Sequence, residues 1–534
     1  MTHHFCTHRP LLMGTRWMIT ADHPLAAQAG AAVLEEGGNA VDAAIAANLV
    51  MTTVRPHMCG IGGDLFALIY MAGEGTFEAL NASGRAPAKA TLDAYGDRGL
   101  ETIPETGILT CTVPGAIAGW HAAVEKRGTM GLDTLVGRAI DYAKGGFPVY
   151  QELVSVMAER KPLMQKNKAA ASTFYPGGRT PQVGQLVIQP RLAESYHRLA
   201  DEGPDAFYNG PMGEALVRFS QAEGGFFDME DLADHRVTWE TPITTDYRGY
   251  TIASQPPNSQ GIALLMQTNI LECLDLNRYA IDSPELIHHM VETKKLSFAD
   301  RDRYVCDPAF HPVPVKEMLS KTHAAQRAKL IDPDRAAKAF PPRNFTNGGE
   351  DTIYLTVVDS EGNAVALIQS LYEAFGSCVM VPETGMLLHN RGRNFSLDPN
   401  HPNRLEPRKR PYHNLHPTMI LKDGRPYMVL GTPGADGQTQ TNIQLIVDML
   451  DFGADPQAAN EAPRWRSNPD GSLMIESRFP AKTLDALKAK GHQLQVLDDW
   501  ATIMGSSQAI LLDPETGVLK AGADPRRQAY AIGK

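Results

Sequence analysis

Between Pro308 and Glu350 the chain changes character, and that change constrains its fold more than any other feature. Pro312, Pro314, Pro333, Pro341 and Pro342 punctuate the segment and Asn347-Gly-Gly349 closes it, a composition that suits an extended, mobile connector over residues 308–351. Two strand-like runs follow at once, Thr352–Asp359 and Asn363–Ser370, with Ser360-Glu-Gly362 as the turn between them. The fold must therefore deliver a proline-rich segment directly into a buried hairpin. On composition alone this is an interdomain linker; a processing site has the same appearance.

The rest of the chain narrows the function classes. Its 534 residues allow several domains or one large interleaved core. The net charge of −11 comes with no basic block, which argues against nucleic acid or an anionic membrane as partner and favours small molecules. No run of 18 or more apolar residues occurs (even Ala43–Met51 is broken by Asn48), and the N-terminus lacks a signal-peptide pattern, so a cytoplasmic protein is expected. The six cysteines are scattered without a C-x-x-C, so they read as reduced, mostly buried thiols rather than a disulfide framework or zinc site.

Local signals place several elements. A helical pattern starts at Pro24, runs to Glu36 and stops at Gly37-Gly38; Asn39 can cap a second helix carrying Val41, Ala44, Ile45, Asn48 and Leu49. The glycine loop Cys59-Gly-Ile-Gly-Gly-Asp64 precedes strand-like runs at Leu65–Met71 and Thr76–Asn81. The region from about 113 to 305 reads as mainly helical and ends in the amphipathic stretch Pro284–Tyr304. There is no P-loop and no G-x-S-x-G elbow, and Gly60-Ile-Gly-Gly63 lacks the context of a dinucleotide fingerprint, so a tight turn is expected there. His288 and Glu292 lie four apart on a helix, but without an H-E-x-x-H pattern they read as packing residues rather than metal ligands. The turn Gly431-Thr-Pro-Gly-Ala-Asp-Gly-Gln438 leads into a helix, and backbone N–H groups at such an entrance can hold an anion or an oxyanion.

Taken in order, Ala21-Asp-His-Pro-Leu-Ala26, Gly37-Gly-Asn-Ala-Val-Asp-Ala-Ala44, Gly60-Ile-Gly-Gly63, Val113-Pro-Gly115, Gln255-Pro-Pro-Asn-Ser-Gln-Gly261 and Phe298-Ala-Asp-Arg301 form one series. It continues through Asp351-Thr-Ile-Tyr-Leu-Thr-Val-Val-Asp359, Gly362-Asn-Ala-Val365, Gly385-Met-Leu-Leu388 and Ala523-Asp-Pro-Arg526. In this the chain resembles the γ-glutamyltranspeptidases, self-cleaving N-terminal-nucleophile (Ntn) hydrolases, over nearly its whole length. The resemblance implies an α+β fold, a four-layer αββα sandwich built by two pieces of one precursor. It places the cut between Asp351 and Thr352, giving a large subunit 1–351 and a small subunit 352–534. A homodimer of such processed pairs is one assembly open to the chain.

The chemistry of that cut can be argued independently. A threonine hydroxyl is a poor nucleophile until a base takes its proton. As a chain terminus, Thr352 would carry beside Oγ its own α-amino group, with an ordinary pKa of about 7.7–8.0, close to the working range of a general base. The resemblance makes Thr352 the nucleophile, Ser370 its supporting hydroxyl, and the Gly434 and Ala435 N–H groups the oxyanion donors. It implies the activity of a γ-glutamyltransferase or glutathione hydrolase, with a γ-glutamyl compound or another small acid amide as substrate, water or an amine releasing the acyl group, and neither cofactor nor metal.

The acyl pocket departs from the family pattern. Ser83 stands where an arginine for the glutamyl carboxylate is expected, with Arg85 two residues on; Tyr372 replaces an asparagine. Arg391 and Asn394 replace the glutamine and aspartate that hold the α-amino group, and His413-Asn414 replaces a serine pair. A site without a carboxylate for an α-ammonium disfavours acyl groups that carry one. Arg391 could pair bidentately with a carboxylate instead, which suits oxamate- or glutaryl-type amides. A surface or subunit-interface ion pair for Arg391 and Arg393, and an unprocessed binding protein for the whole chain, are the alternatives to these readings.

Overall fold

Strands such as Asp351-Thr-Ile-Tyr-Leu-Thr-Val-Val358 and Ala364-Val-Ala-Leu-Ile-Gln-Ser-Leu-Tyr372 are apolar on both faces. A strand of that kind must be covered on both sides. The computed structural model, which describes residues 7–337 and 351–534, shows how. One seven-stranded sheet runs in the order Tyr530–Gly533, Met18–Ala21, Asp351–Val358, Ala364–Tyr372, Asp64–Met71, Thr76–Ala82, Thr238–Glu240. A second runs Leu12–Gly14, Leu519–Ala523, Gln508–Leu512, Arg425–Gly431, Thr418–Lys422, Tyr250–Ser254, Ile243–Tyr247. Every neighbouring pair in both is antiparallel.

The period-2 alternation of a strand divides the core into layers. Tyr354, Val358, Ala366 and Ile368 join Phe66, Met419, Val429 and Ile510 in a core between the two sheets. Ile353, Leu355, Val357, Val365 and Leu367 face the other way, onto the helices Pro24–Glu35, Ala40–Val54 and Ala116–Arg127. The outer face of the second sheet packs on Gly261–Glu272, Pro284–Tyr304 and Gly437–Leu450. The result is the expected αββα sandwich. Strands from both sides of residue 352 contribute to each sheet, so neither part of the chain could build the core alone.

The local expectations hold where a cap or turn specifies them. The helix Pro24–Glu35 ends before Gly37, whose φ of 94° lies in the left-handed region. Asn39 and Asp42 form a reciprocal capping box for Ala40–Val54. Gly63 N–H closes a tight turn on Gly60 O, and the amphipathic helix spans Pro284–Tyr304. Cys273 is exposed, and Cys59, Cys111, Cys306 and Cys378 are buried; Cys6 lies outside the described residues.

The connector corrects an expectation. It is folded from 308 to 337, with helices Val315–Met318 and Lys321–Ala328. Its prolines separate short elements rather than prevent them: Met318 and Ala324 are buried anchors, and Arg327 and His323 both bind Asp300. Residues 338–350 lie outside the described residues.

Candidate active site

The centre of the site is an irregularity in the hairpin. Asp351 pairs with Tyr372 and Ile353 with Gln369, so Ser370 and Leu371 together oppose Thr352. Such a bulge re-aims side chains. Thr352 is 1% exposed and its hydroxyl donates to Ser370 Oγ at 3.1 Å. Ser370 Oγ also accepts the Tyr372 N–H at 2.6 Å. Tyr372 has a φ of 82°, a left-handed conformation costly for an aromatic residue and most often found at functional positions.

A second strand brings the glycine turn to this point. Tyr354, two residues past Thr352 on the same face, donates its hydroxyl to Leu430 O at 2.6 Å. Its ring lies against Gly431, where a Cβ would stand 2.2 Å from a ring carbon; only glycine allows that approach. The chain then turns through Gly434 and Ala435, with φ of 121° and 48°, into the helix Gly437–Leu450. Neither Gly434 N–H nor Ala435 N–H donates to a described group.

The turn is braced from outside. Gln260 Nε2 donates to Ala435 O at 3.0 Å and Asn414 O at 2.6 Å. Gln260 Oε1 accepts from Arg301 Nη1 at 2.9 Å and the Tyr412 hydroxyl at 3.0 Å. Arg301 also makes a bidentate pair with Asp436, at 2.9 and 3.2 Å, and lies over the Phe298 ring. Gln260 and Arg301 belong to motifs conspicuous in the sequence, but their bracing role is not legible there because the turn residues they hold, Ala435 and Asp436, are 135 or more positions away.

A cavity of about 260 Å³ opens beside Tyr372 and Ala435, bordered also by Asn394, Asn414, Asp436, Lys294, Arg301, Arg466 and Asp470. Lys294 was not anticipated. It sits on the buried face of Pro284–Tyr304, donates to Ser467 O at 2.8 Å, and burial lowers its pKa to about 7. Arg391 and His413 stand behind the wall. Arg391, fully buried, donates Nη1 to Asn414 Oδ1 at 2.7 Å, places Nε 3.6 Å from Asp64, and lies over the Tyr372 ring. Its Nη2 has no described partner. Burial lowers its pKa to about 10, partly offset by Asp64, so it stays cationic.

Asp64 is the hub behind Arg391, and sequence reading assigned it no role. It accepts from Gly84 N–H at 2.9 Å and lies 3.1 Å from His413 Nε2 and 3.3 Å from His389 Nδ1. Burial opposes its ionisation, yet His389 and His413 hold its carboxyl well below the usual range. Burial, with Arg391 beside it, lowers His413 to about 3. His413 is therefore a neutral imidazole that donates to Asp64 through Nε2 and accepts Leu415 N–H through Nδ1. Asn394 borders the cavity and donates to Tyr412 O at 2.9 Å.

Arg85 is not brought to the cavity. Its guanidinium donates to Arg408 O at 3.0 Å and lies 3.5 Å from Asp307. The pair His288 and Glu292 gains a third neighbour, His492. Each group there already has a protein partner: His288 Nε2–H donates to Asp332 O and His492 Nε2–H to His288 Nδ1, both at 2.8 Å, and Glu292 accepts from Lys295 Nζ and Ala337 N–H. These contacts fit the packing role. Among the described residues no helix is long and apolar enough to cross a membrane.

Two facing antiparallel sheets between helical layers, with a threonine at the sheet bulge beside a glycine turn, define the fold class of the Ntn hydrolases. The family model described as gamma-glutamyltranspeptidase matches residues 26–534, and the chain belongs to that family. It is 40% identical over 528 residues to the glutathione hydrolase-like YwrD proenzyme of Bacillus subtilis, covering 98% of this chain and 99% of the relative. It is 36% identical to the oxamate amidohydrolase proenzyme of Klebsiella pneumoniae, over 98% of this chain and 99% of the relative. The crystal structure of cephalosporin acylase from Bacillus halodurans superimposes with a TM-score of 0.93 at 36% identity, covering 100% of this chain and 98% of that one.

Proposed function

We propose that the chain is an autoprocessed Ntn amidohydrolase with Thr352 as nucleophile, acting on the amide of a small carboxylate-bearing acid that lacks an α-ammonium group. The observation that carries the first part is Thr352 at the bulge, its hydroxyl on Ser370 Oγ at 3.1 Å. In self-processing, Thr352 Oγ attacks the Asp351 carbonyl carbon, the Asp351–Thr352 C–N bond breaks, and the resulting ester is hydrolysed by water. The products are an Asp351 carboxylate and a free Thr352 α-amine. That amine then takes the Oγ proton as a substrate amide is attacked. Gly434 and Ala435 N–H groups stabilise the oxyanion, the amine leaves with the proton, and water releases the acid.

The acyl preference follows from charge. Lys294, Arg301 and Arg466 face the cavity against two acids, of which Asp436 is held by Arg301 and Asp470 accepts from Ser472. An incoming ammonium would meet an excess of cations, whereas a carboxylate would meet Lys294, with the buried Arg391 behind Tyr372 and Asn414 adding positive charge. Relatives named as acylases and as an oxamate amidohydrolase support acyl groups other than γ-glutamyl. Relatives named as glutathione hydrolases keep γ-glutamyl amides as the second reading.

Intact mass of the purified protein beside Thr352→Ala tests the first part. Cleavage divides the 58.2 kDa chain into pieces of about 38 and about 20 kDa, the smaller beginning Thr-Ile-Tyr, and Thr352→Ala stays whole. An uncleaved wild type would instead support a silent binding protein. The p-nitroanilides of glutaric, oxalic and γ-glutamic acid then rank the acyl groups; fastest turnover of the γ-glutamyl compound would overturn the charge argument.

A further inference from the structure

The helix Gly437–Leu450 begins beside the oxyanion turn and carries, near its other end, a carboxylate for which the fold supplies no partner. Asp448 is 8% exposed; its backbone carbonyl accepts the Ala454 N–H, but its carboxylate accepts no hydrogen bond from any described residue. It borders a cavity of about 480 Å³, a size typical of small-molecule sites. Burial, eased by Arg464 and aggravated by Asp451, pushes its pKa up to about 7. Arg464 does not neutralise it, because that guanidinium is paired with Asp524 at 2.6 Å. A buried carboxylate without a partner is costly, and an asparagine would fill the same space.

The remaining charges define what could fill the gap. Asp282 and Asp499 add two further carboxylates. Glu461 is saturated by the N–H groups of His8 and Arg9, by His8 Nδ1 and by Gln457 Nε2. The cation at the cavity, Arg478, is committed to Glu476 and to the carbonyls of Glu461 and Ala462, and lies over the Trp500 ring at 3.6 Å. The uncompensated charge is therefore negative. Met290, Trp465, Phe479 and Trp500 supply an apolar and aromatic wall around it.

This space is distinct from the catalytic cavity. Gln440 and Ser467 border the catalytic side, whereas Gln444 and Trp465 border this one. The paired contacts Gln440–Ser467 and Gln444–Trp465 close the wall between them.

We propose that this cavity binds an organic ammonium ion, an amine on an aromatic or branched aliphatic body, with Asp448 pairing the ammonium and the tryptophan-lined wall taking the body. An ammonium paired with a buried carboxylate gains a charge-assisted hydrogen bond, and its organic body gains from burial against the apolar wall.

Titration calorimetry and tryptophan emission on the purified wild type at pH 8 test this, with benzylamine, isoamylamine and tryptamine as probes and benzyl alcohol and benzoate as controls. At least one amine is expected to saturate, with benzyl alcohol and benzoate at least tenfold weaker than benzylamine. Asp448→Asn, which keeps shape and removes charge, should weaken that amine at least tenfold and leave benzyl alcohol unchanged. Met290→Trp, which fills the space, should abolish amine binding while thermal unfolding shows the protein folded. The proposal is overturned if none of the three amines saturates by about 10 mM, a weak limit by affinity arithmetic. Equal amine affinity in wild type and Asp448→Asn, as binding at the catalytic cavity would give, also overturns it. Because the readout is binding, it stands or falls separately from the catalytic reading.

Discussion

Replacing Arg301 by Met tests the brace on the Gly434–Ala435 turn, the proposed oxyanion donor. Arg301 is 4% exposed and Asp436 31% exposed at the side chain. Two charge-assisted hydrogen bonds join them, each worth roughly 1.5–3 kcal/mol where buried. Solvent at Asp436 screens part of this, so the loss should be about 2–3 kcal/mol. Methionine keeps most of the apolar contact with Phe298, so the measured effect reports the charge. Stability should be measured in a Thr352→Ala background, where the chain is expected to stay whole, as the shift in urea midpoint. Adding Asp436→Asn to Arg301→Met removes the stranded carboxylate and should recover about 2 kcal/mol, appearing as coupling in a double-mutant cycle. In the cleavable background, Arg301→Met should lower kcat on the best anilide roughly 10- to 100-fold with little change in KM, short of the roughly 10²–10³ lost with a whole oxyanion donor. Strictly additive stability effects, or an unchanged kcat, would refute the claim that this pair holds the turn.

Other perturbations read separate parts of the site. Arg391→Ala should raise KM for a carboxylate-bearing anilide tenfold or more; an unchanged KM would return Arg391 to the role of a structural partner of Asp64 and Asn414. Lys294, with a pKa lowered to about 7 from 10.5, makes stability rise with pH between those values, because there the unfolded chain binds the proton and the folded chain does not. Below pH 7 its destabilising effect is complete, so Lys294→Met should stabilise the protein most at pH 6 and least near pH 10, by thermal unfolding across that range. The same titration should weaken binding of an anionic substrate as pH rises through 7, seen as a rising KM that Lys294→Met removes. Gly431→Ala would set a methyl 2.2 Å from the Tyr354 ring, with an expected cost of about 1–3 kcal/mol and slower release of the small fragment in a processing time course. Processing at the wild-type rate would show that the approach of these strands does not position the site.

Much of this site was readable along the chain, and the rest was not, for reasons visible at particular residues. Thr352, Ser370 and the turn at Gly434 and Ala435 sit in short ordered strings whose neighbours in sequence are their neighbours in space. Asn39 and Gly37 could be placed because a capping box or a left-handed turn is completed within four residues. The two-faced apolar strands announced that they would be covered, but not by which helices. The connector was misjudged between 308 and 337 because prolines record where helices cannot continue, whereas Met318 and Ala324 find their burial against distant helices.

Local sequence is enough for the caps, the turns, the hairpin that carries Thr352 and the order of the motifs, since each depends on backbone geometry within a few residues. Long-range packing supplied the rest. It set His413 against Asp64 across 349 positions, made Gln260 and Arg301 the brace of a turn, withdrew Arg85 from the cavity, and left Asp448 unpaired beside an apolar wall. Those outcomes depend on packing two sheets and their helices into one core, where burial makes the worth of a charge depend on neighbours that no local pattern names.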